Sequence, residues 1–309
     1  MRLNSVAFPI VLILALSIPS AQRKAFAGEV VTDDLRQSAR HSIQNEDSRS
    51  FQPSPDTVAV LYFKNKTGRP DLDPLQKGIA VMLITDLAKV KTIRVVERAQ
   101  LQALVEELNL GASGLVAPGT APRVGRLLDA RFIVAGDLGS VPPEQIAIAG
   151  NLLEMPPATV LGTPSSQGVL ENLLRMEKEV LFEIIRLLQI ELTPEEREEL
   201  RKPITLDFKA LLFFSQGIES SDRGAYEEAA AYYREALQHD PEMGPAVQAV
   251  DELTRLRLIA PFRDTLLRNL HQRISFNEGP VQGPITRREF SDPVSIQGPA
   301  GTADVQIRW

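Results

Sequence analysis

Short runs of β-branched and aromatic residues alternate with helical patterns between residues 57 and 136, and this alternation constrains the fold more than any other feature. The run at 57–63 predicts a buried strand. Residues 93–96 and 131–135 predict two more strands, the last ending at Gly136. Strands that alternate with helices in this way are typical of a layered α/β domain.

The predicted helices are marked by caps and apolar stripes. Asp73 is expected to cap the first helix, with Pro74 at its first position. Gly111 is expected to end the second helix, and Thr120 to cap the third. The stripe of the first helix predicts its core contacts: Leu75, Ile79, Leu83, Leu87 and Val90.

The second half of the chain is predicted to change from strands to helices. Residues 145–153 and 159–162 predict two further strands, and a long helix follows over about 168–191. The order Thr193-Pro194-Glu195-Glu196 is a capping box that begins another helix, and Thr205 begins the next.

An export signal is predicted over residues 1–27. A positive start at Arg2 precedes an apolar run of about a dozen residues and the small-residue cleavage site at Ala25-Phe26-Ala27. The run is shorter than the roughly 20 residues that a membrane span requires. We therefore expect a mature protein that begins near Gly28, is found in the periplasm and has no integral membrane segment.

The predicted division of the chain follows from these patterns. Residues 28–56 are polar and predict a flexible lead-in, and residues 276–309 are rich in Gly, Pro and Ser and predict a mobile tail. Between them lie an α/β domain at 57–192, with a mixed sheet, and an all-α region at 193–275.

Composition excludes several classes of function. The chain has no cysteine and three widely separated histidines, His41, His239 and His271, which leaves little material for a metal or His-based catalytic site. A net charge of −6 and a pI near 5.3 argue against general nucleic-acid binding. No phosphate-binding glycine loop follows a strand. We therefore expect no cofactor and no metal.

Several short motifs in order give a family resemblance over residues 58–136. They are Val58-Ala-Val-Leu61, Leu83-Ile-Thr-Asp-Leu87, Arg94-Val-Val-Glu-Arg98, Ser113-Gly114-Leu115, Gly125-Arg-Leu-Leu-Asp-Ala130 and Ile133-Val-Ala-Gly136. The chain here resembles the CsgG-type family, whose best-known members build the curli secretion channel of the bacterial outer membrane. The resemblance implies a role in the cell envelope and extends into the helix at 168–191.

Two departures separate this chain from the channel members of that family. Those members are lipoproteins, and this chain has no cysteine to carry a lipid. They also have two long membrane-crossing hairpins, whereas only about 30 residues lie between Asp137 and Gly168. The pore is therefore not expected here.

A second resemblance covers residues 210–241, which are similar to one tetratricopeptide repeat. Small residues let two helices approach, and larger ones fill the space around the contact. The positions that carry the resemblance are Ala210, Phe213, Gly217, Ala229, Tyr233, Ala236 and Pro241. One repeat is fewer than an independent solenoid needs, so we expect it to pack on the first domain or on another copy.

Charged residues suggest interfaces rather than catalysis. Arg94, Glu97 and Arg98, where the second strand meets the second helix, are a candidate interface with a partner or another subunit, although Glu97 is also favoured there by the helix dipole alone. The acidic run that begins at Glu195 is typical of a solvated helix face. Residues 57–135 contain 11 basic and 7 acidic residues, while residues 168–258 contain 11 basic and 19 acidic ones. This difference favours docking of the helical region on the α/β domain, within a chain or between neighbours.

These patterns predict a non-enzymatic assembly or scaffold protein of the periplasm, associated with the outer membrane, whose repeat docks a protein partner. Homo-oligomers are a further expectation. Two alternatives stay open at this point: a component of a curli-type secretion channel, and an envelope hydrolase that uses paired carboxylates.

Overall fold

One mixed sheet organises the first part of the molecule in a computed structural model that describes residues 30–48, 50–110 and 119–260. The strands in these residues are β1 (Ser54–Val60), β2 (Lys64–Lys66), β3 (Arg94–Val95), β4 (Ala130–Val141), β5 (Gln145–Glu154), β6 (Thr159–Gly162) and β7 (Ser165–Gly168). Their order is β3-β1-β4-β5-β6, with β2 also pairing with β4 and β7 with β5. The first four strands pair in parallel, and the last three add antiparallel pairs. This confirms the predicted mixed α/β architecture.

Helices cover the sheet and then form the second part of the chain. They are α1 (Asp33–Gln44), α2 (Leu75–Leu87), α3 (Arg98–Glu107), α4 (Thr120–Leu127), α5 (Leu173–Leu187), α6 (Pro194–Arg201), α7 (Phe208–Asp222), α8 (Tyr226–His239) and α9 (Gly244–Arg255). Within the described residues, no helix combines the length and the hydropathy that a membrane crossing needs.

Both faces of the sheet are covered. Four consecutive residues of β1, Thr57 to Val60, are buried, which requires packing on either side of the strand. On β4, the side chain of Ile133 fills the space beside Gly125 of α4. At the outer strand β6, Leu187 of α5 packs directly on Gly162. The sheet is therefore a core layer rather than an exposed surface.

Helix α2 is buried on nearly every side. The predicted stripe from Leu75 to Val90 is confirmed as core, but Val81, Met82 and Ile84 are buried as well. The reason is that α7 packs on the side of α2 away from the stripe, and a Cβ at Gly78 would lie 2.2 Å from Ser215 Oγ. The apolar stripe therefore predicted only one of the buried faces of α2.

The predicted flexible lead-in is wrong at residues 33–44, which form α1. Thr32 caps the helix by accepting a hydrogen bond from Leu35 N at 3.4 Å. Arg36 and Arg40 form ion pairs with the end of α3 (Arg36 Nε–Glu106 Oε2, 2.9 Å). The helix also has local signals in the sequence, which are the cap at Thr32, an acidic first turn and the apolar stripe Leu35, Ala39 and Ile43.

Several predicted boundaries need correction. Asp73 does not cap α2; its carboxylate accepts from Asn65 Nδ2 at 2.7 Å, and the cap position is Pro74. Thr120 is the first residue of α4, and Gly119 precedes it with φ = 85°, a conformation that glycine adopts at little cost. Strand β4 continues past Gly136 to Val141, because β5 pairs with it from Phe132 to Val141.

The helix predicted over 168–191 is shorter in the structure. Gly168 is the last residue of β7, and α5 spans Leu173–Leu187. Thr205 lies before α7 and accepts a hydrogen bond from Asp207 N, and Asp207 is the cap. The capping box at Thr193 and Glu196 is confirmed. Gly111 and the tail at 276–309 lie outside the described residues.

Helices α7, α8 and α9 pack in sequence order. Gly224 has φ = 76° and ends α7, and the chain reverses directly into α8. Leu253 and Ile259 are buried, whereas Leu256 is exposed. The helical region and the sheet domain belong to one compact unit of the chain.

Candidate functional site

A cluster of buried charged and polar side chains joins the sheet domain to the helical region. We call it the buried ion cluster; its members are Tyr62, Lys77, Arg98, Gln102 and Asp222. Arg98 Nη1 lies 2.9 and 3.0 Å from the two carboxylate oxygens of Asp222. Lys77 Nζ lies 2.7 Å from Asp222 Oδ2. One carboxylate from α7 is thus held by two cations from the sheet domain.

The parallel strands explain why these side chains meet. Tyr62 follows the carboxyl end of β1, and Arg98 is the first helical residue after β3. Since β1 and β3 are parallel, both residues lie at the carboxyl ends of the strands, beside the first turn of α2, which carries Lys77. Asp222, the last residue of α7, reaches these strand ends from the helical region.

Neutral groups complete the cluster. Tyr62 OH donates to Gln102 Oε1 at 2.9 Å and accepts from Arg98 Nη1 at 3.3 Å. Gln102 Nε2 donates to Glu106 Oε1 at 3.2 Å, which continues the network to the ion pair between Glu106 and α1. Lys77 Nζ also lies 5.5 Å from the centre of the Tyr62 ring.

Burial strengthens these interactions. The side chains of Arg98 and Asp222 are 1% and 3% exposed. Burial alone would lower the pKa of Arg98, but the Asp222 carboxylate outweighs it and holds that pKa above its ordinary value. Burial raises the pKa of Tyr62, so its hydroxyl stays protonated and able to donate. The cluster is a fixed, charged contact at ordinary pH.

The three predicted interface residues have different positions. Arg94 is exposed, and its Nη2 donates to Thr57 Oγ1 at 3.2 Å. Glu97 is half-buried at the cap position of α3. Arg98 is a correction, because its guanidinium is buried against Asp222 of the same chain and is not on a surface that a partner could reach. Its contact with Asp222 joins the two regions within the chain, and docking driven by their opposite net charges stays a prediction.

The predicted packing residues of the repeat lie between α7 and α8. A Cβ at Gly217 would lie 2.4 Å from the Tyr233 ring, and Ala229 and Ala236 are fully buried. Phe213 is partly buried against these residues and stacks on His239 with ring centres 5.5 Å apart. Two further positions complete the set. Ala210 is buried, and Pro241 follows the end of α8.

Sequence reasoning missed two of the residues that matter most here. Phe214 is fully buried and lies 5.6 Å from Tyr233 between ring centres. Asp222 has no distinguishing neighbours in sequence, and only its place at the end of α7 gives it a role. The pattern of small residues predicted the helix pair but not the residue that fastens it to the sheet domain.

A second buried charged cluster lies between α2 and α5. Asp86 forms ion pairs with Lys178 and with Lys89, the latter at 2.8 Å. Glu177 is 2% exposed, and its Oε1 has no hydrogen-bond partner among the described residues. Burial, together with the neighbouring Asp86 carboxylate, raises the pKa of Glu177 to about 8. Lys178 opposes this rise from 3.6 Å away.

A surface groove of about 550 Å³, separate from both clusters, has the exposed residues Glu144 and Glu171 in its lining. Among the described residues no group of His, Asp and Glu side chains is arranged to hold a metal ion. The exposed members of the acidic run, Glu195, Glu198 and Glu199, lie on the surface of α6, and Glu196 is buried and completes the capping box with Thr193.

Comparison with known families supports part of the resemblance found in the sequence. Residues 36–140 match the model of a family described as the curli production assembly/transport component CsgG. The matched segment contains most of α1, all of α2 to α4 and β1 to β3, and nearly all of β4. It stops before α5 and the helical region, so the similarity of residues 210–241 to a tetratricopeptide repeat remains a prediction.

Individual proteins match more weakly. A curated protein of Rhizobium meliloti (strain 1021), named putative adenylate cyclase 3, is 27% identical over 200 residues, which are 63% of this chain and 32% of that protein. The chain therefore spans about a third of the length of this relative. The LpoB C-terminal domain of Salmonella enterica is 14% identical, with 44% of this chain and 98% of that chain covered, at a TM-score of 0.31. The NMR structure of E. coli LpoB is 11% identical, with 54% and 82% covered, at a TM-score of 0.30.

Proposed function

We propose that this chain is a non-enzymatic assembly or scaffold protein of the bacterial cell envelope, exported to the periplasm, where its helical region docks a protein partner. The family match over residues 36–140 supports the envelope assembly role, because that family is described by curli assembly and transport. The predicted export signal supports the location.

The observation that carries the non-enzymatic part of the proposal is the position of Asp222. Open α/β sheets commonly bind their ligands in the crevice outside the carboxyl ends of parallel strands. At the carboxyl ends of β1 and β3 in this chain, that space is filled by the buried ion cluster and closed by α7. An architecture that uses this space to fasten its own helical region is suited to presenting surfaces, not to binding a substrate there.

The surface available to a partner lies on α8 and α9. Helix α7 packs against α2 on one side and α8 on another, so its faces are used internally. Val247 of α9 is exposed beside Asp251, one turn further on, and Leu256, the residue after α9, is exposed as well. Exposed apolar side chains with charged neighbours are typical of a protein-docking surface.

The relative named as an adenylate cyclase does not alter this proposal. The alignment covers 32% of that protein, so the activity in its name is not transferred to this chain.

Export is the first test. We expect cells expressing the full chain to release, on osmotic shock, a protein whose intact mass corresponds to a start near Gly28. The matched control is Leu14→Arg, which interrupts the apolar run and should leave a cytoplasmic precursor. Recovery of the unprocessed wild-type chain in the cytoplasm contradicts the proposed location.

Conductance is the second test, and it separates a scaffold from a secretion channel. Purified mature protein added to planar bilayers should give no single-channel steps above those of buffer. Reproducible steps that disappear with an antibody to the protein contradict the scaffold function.

A further inference from the structure

The two edges of the sheet differ in charge. One edge is formed by β2 and β3, and it carries Lys64, Lys66 and Arg94. The other edge is formed by β6 and β7, and residues 155–170, which contain both strands, include no charged residue. Proteins commonly place charged side chains, lysine above all, on edge strands to prevent pairing with another chain. Only one edge of this sheet has that protection.

The unprotected edge is also exposed and apolar. Val160 of β6 is 55% exposed, and Val169, directly after β7, is 41% exposed. In the part of the chain that the structure describes, β6 pairs with β5 and with no strand on its outer side. The unpaired backbone groups and an exposed β-branched side chain are what an added strand requires.

Prolines limit how far such pairing can extend. Pro157 precedes β6 by two residues and Pro164 follows it by two. Because proline has no backbone N–H, the backbone available for pairing with an added strand is limited to a short stretch centred on Thr159–Gly162. A short, bounded edge favours one fixed register over open-ended aggregation.

Helix α5 lies beside the same edge and adds a self-complementary charge pattern. Leu187, the last residue of α5, packs on Gly162 of β6, so the end of α5 reaches the edge strand. Glu183 and Arg186 lie in the same last turn and form an ion pair. In a two-fold pair of β6 strands, about 4.8 Å apart, the two α5 helices lie on the same face of the joined sheet. Glu183 of each copy can then face Arg186 of the other.

We propose that the β6 edge, together with the carboxyl-terminal half of α5, is a two-fold interface with a second copy of this chain. The reciprocal acid and base on α5 favour a second copy over a foreign peptide. The other, charged edge disfavours addition of further copies, so the assembly closes as a dimer. A four-residue strand buries too little surface for a stable interface, so the proposed dimer also requires contact through the end of α5. This inference does not depend on the proposed location or partner.

The first test is sedimentation of the full mature chain over a range of micromolar concentrations. We expect a reversible dimer for the wild type and for Val160→Thr, which keeps a β-branched residue. Val160→Lys places a charge at the centre of the edge and should give a monomer with an unchanged melting temperature. A wild type that stays monomeric overturns the proposal, as does a Val160→Lys dimer as stable as the wild type.

The second test uses the absence of cysteine from the chain. Val160→Cys introduces the only thiol, close to the two-fold axis and within the Cα separation of about 4.4–6.8 Å that a disulfide needs. Mild oxidation should convert it to a covalent dimer. Lys66→Cys, on the opposite edge, is the matched control and should stay monomeric on denaturing gels. Equal crosslinking of both variants contradicts the assignment of the edge, and capture of a different protein by Val160→Cys in place of its own copy contradicts the assignment of the partner.

Discussion

Asp222 occupies a space almost closed to water, where it faces both Arg98 and Lys77. Removing such charges from water costs several kcal/mol per ion, and their attraction offsets this only when geometry is good. The cluster therefore adds little net stability compared with an apolar contact of the same shape. Its effect is to make one orientation of α7 on the sheet domain strongly preferred over others.

Loss of the carboxylate alone is expected to be costly. Asp222→Ala leaves Arg98 buried without its main counter-charge, and we expect a loss of about 3–5 kcal/mol in the free energy of unfolding. The double variant Arg98→Met with Asp222→Leu should recover most of that loss. Chemical denaturation of both variants measures the difference, and additive losses in the double variant would show that the two side chains do not act together.

Glu177 gives a dependence on pH of known sign. Its folded-state pKa is about 8 and its ordinary value is 4.5, so the folded protein binds more protons than the unfolded chain between these values. Stability should therefore fall as pH rises through this window, by at most about 1.4 kcal/mol per pH unit from this group. Glu177→Gln should remove this contribution and melt above the wild type at pH 8–9. A difference between the two proteins that does not change with pH would contradict the assignment.

At the scale of elements, local patterns predicted what depends on neighbours in sequence. The strands β1, β3, β5 and β6, the capping box of α6 and the α7–α8 pair were all expected, because each has strong periodicity, a cap or small residues at fixed spacing. Strand β7 was missed because its polar residues have no strand pattern and it is held by pairing with β5. Helix α1 was missed although it has a cap at Thr32 and a short apolar stripe of its own. The second buried face of α2 was missed because no local pattern indicates that α7 covers it.

The close approach of α7 and α8 makes their small residues sensitive to volume. Gly217→Leu drives a side chain into the Tyr233 ring and should cost about 1–3 kcal/mol, as should Ala229→Leu. Gly244→Ala is the control, because no atom lies within 4 Å of the added methyl group. Its melting temperature should equal or exceed that of the wild type, and an equally stable Gly217→Leu would count against the helix pair as described.

At the scale of the whole molecule, the chain combines a sheet domain, whose first part (residues 36–140) matches the CsgG family model, with a helical region fastened over its strand ends. The fastening uses internal faces of α7 and leaves α8 and α9 outward. The expected departure from the channel members of that family concerns the segment between Asp137 and Gly168, which here forms the end of β4 together with β5, β6 and β7 of the domain's own sheet. The candidate interface at Arg94 and Glu97 stays a prediction. Arg98 is buried, which shows that a charged residue at a strand end need not lie on the surface.

Site-specific photocrosslinking in intact cells tests the central claim, that the outward helices dock a protein of the envelope. A photoreactive residue at Val247 of α9 or at Leu256 should yield one discrete crosslinked product in the periplasmic or membrane fraction. The same residue at Gln238, exposed on α8 away from this apolar pair, is the control and should yield less. The product should disappear in the Asp222→Ala background, because that variant loses the contact that holds the helical region on the sheet domain. Equal products from all three positions, or none from α9, would contradict it.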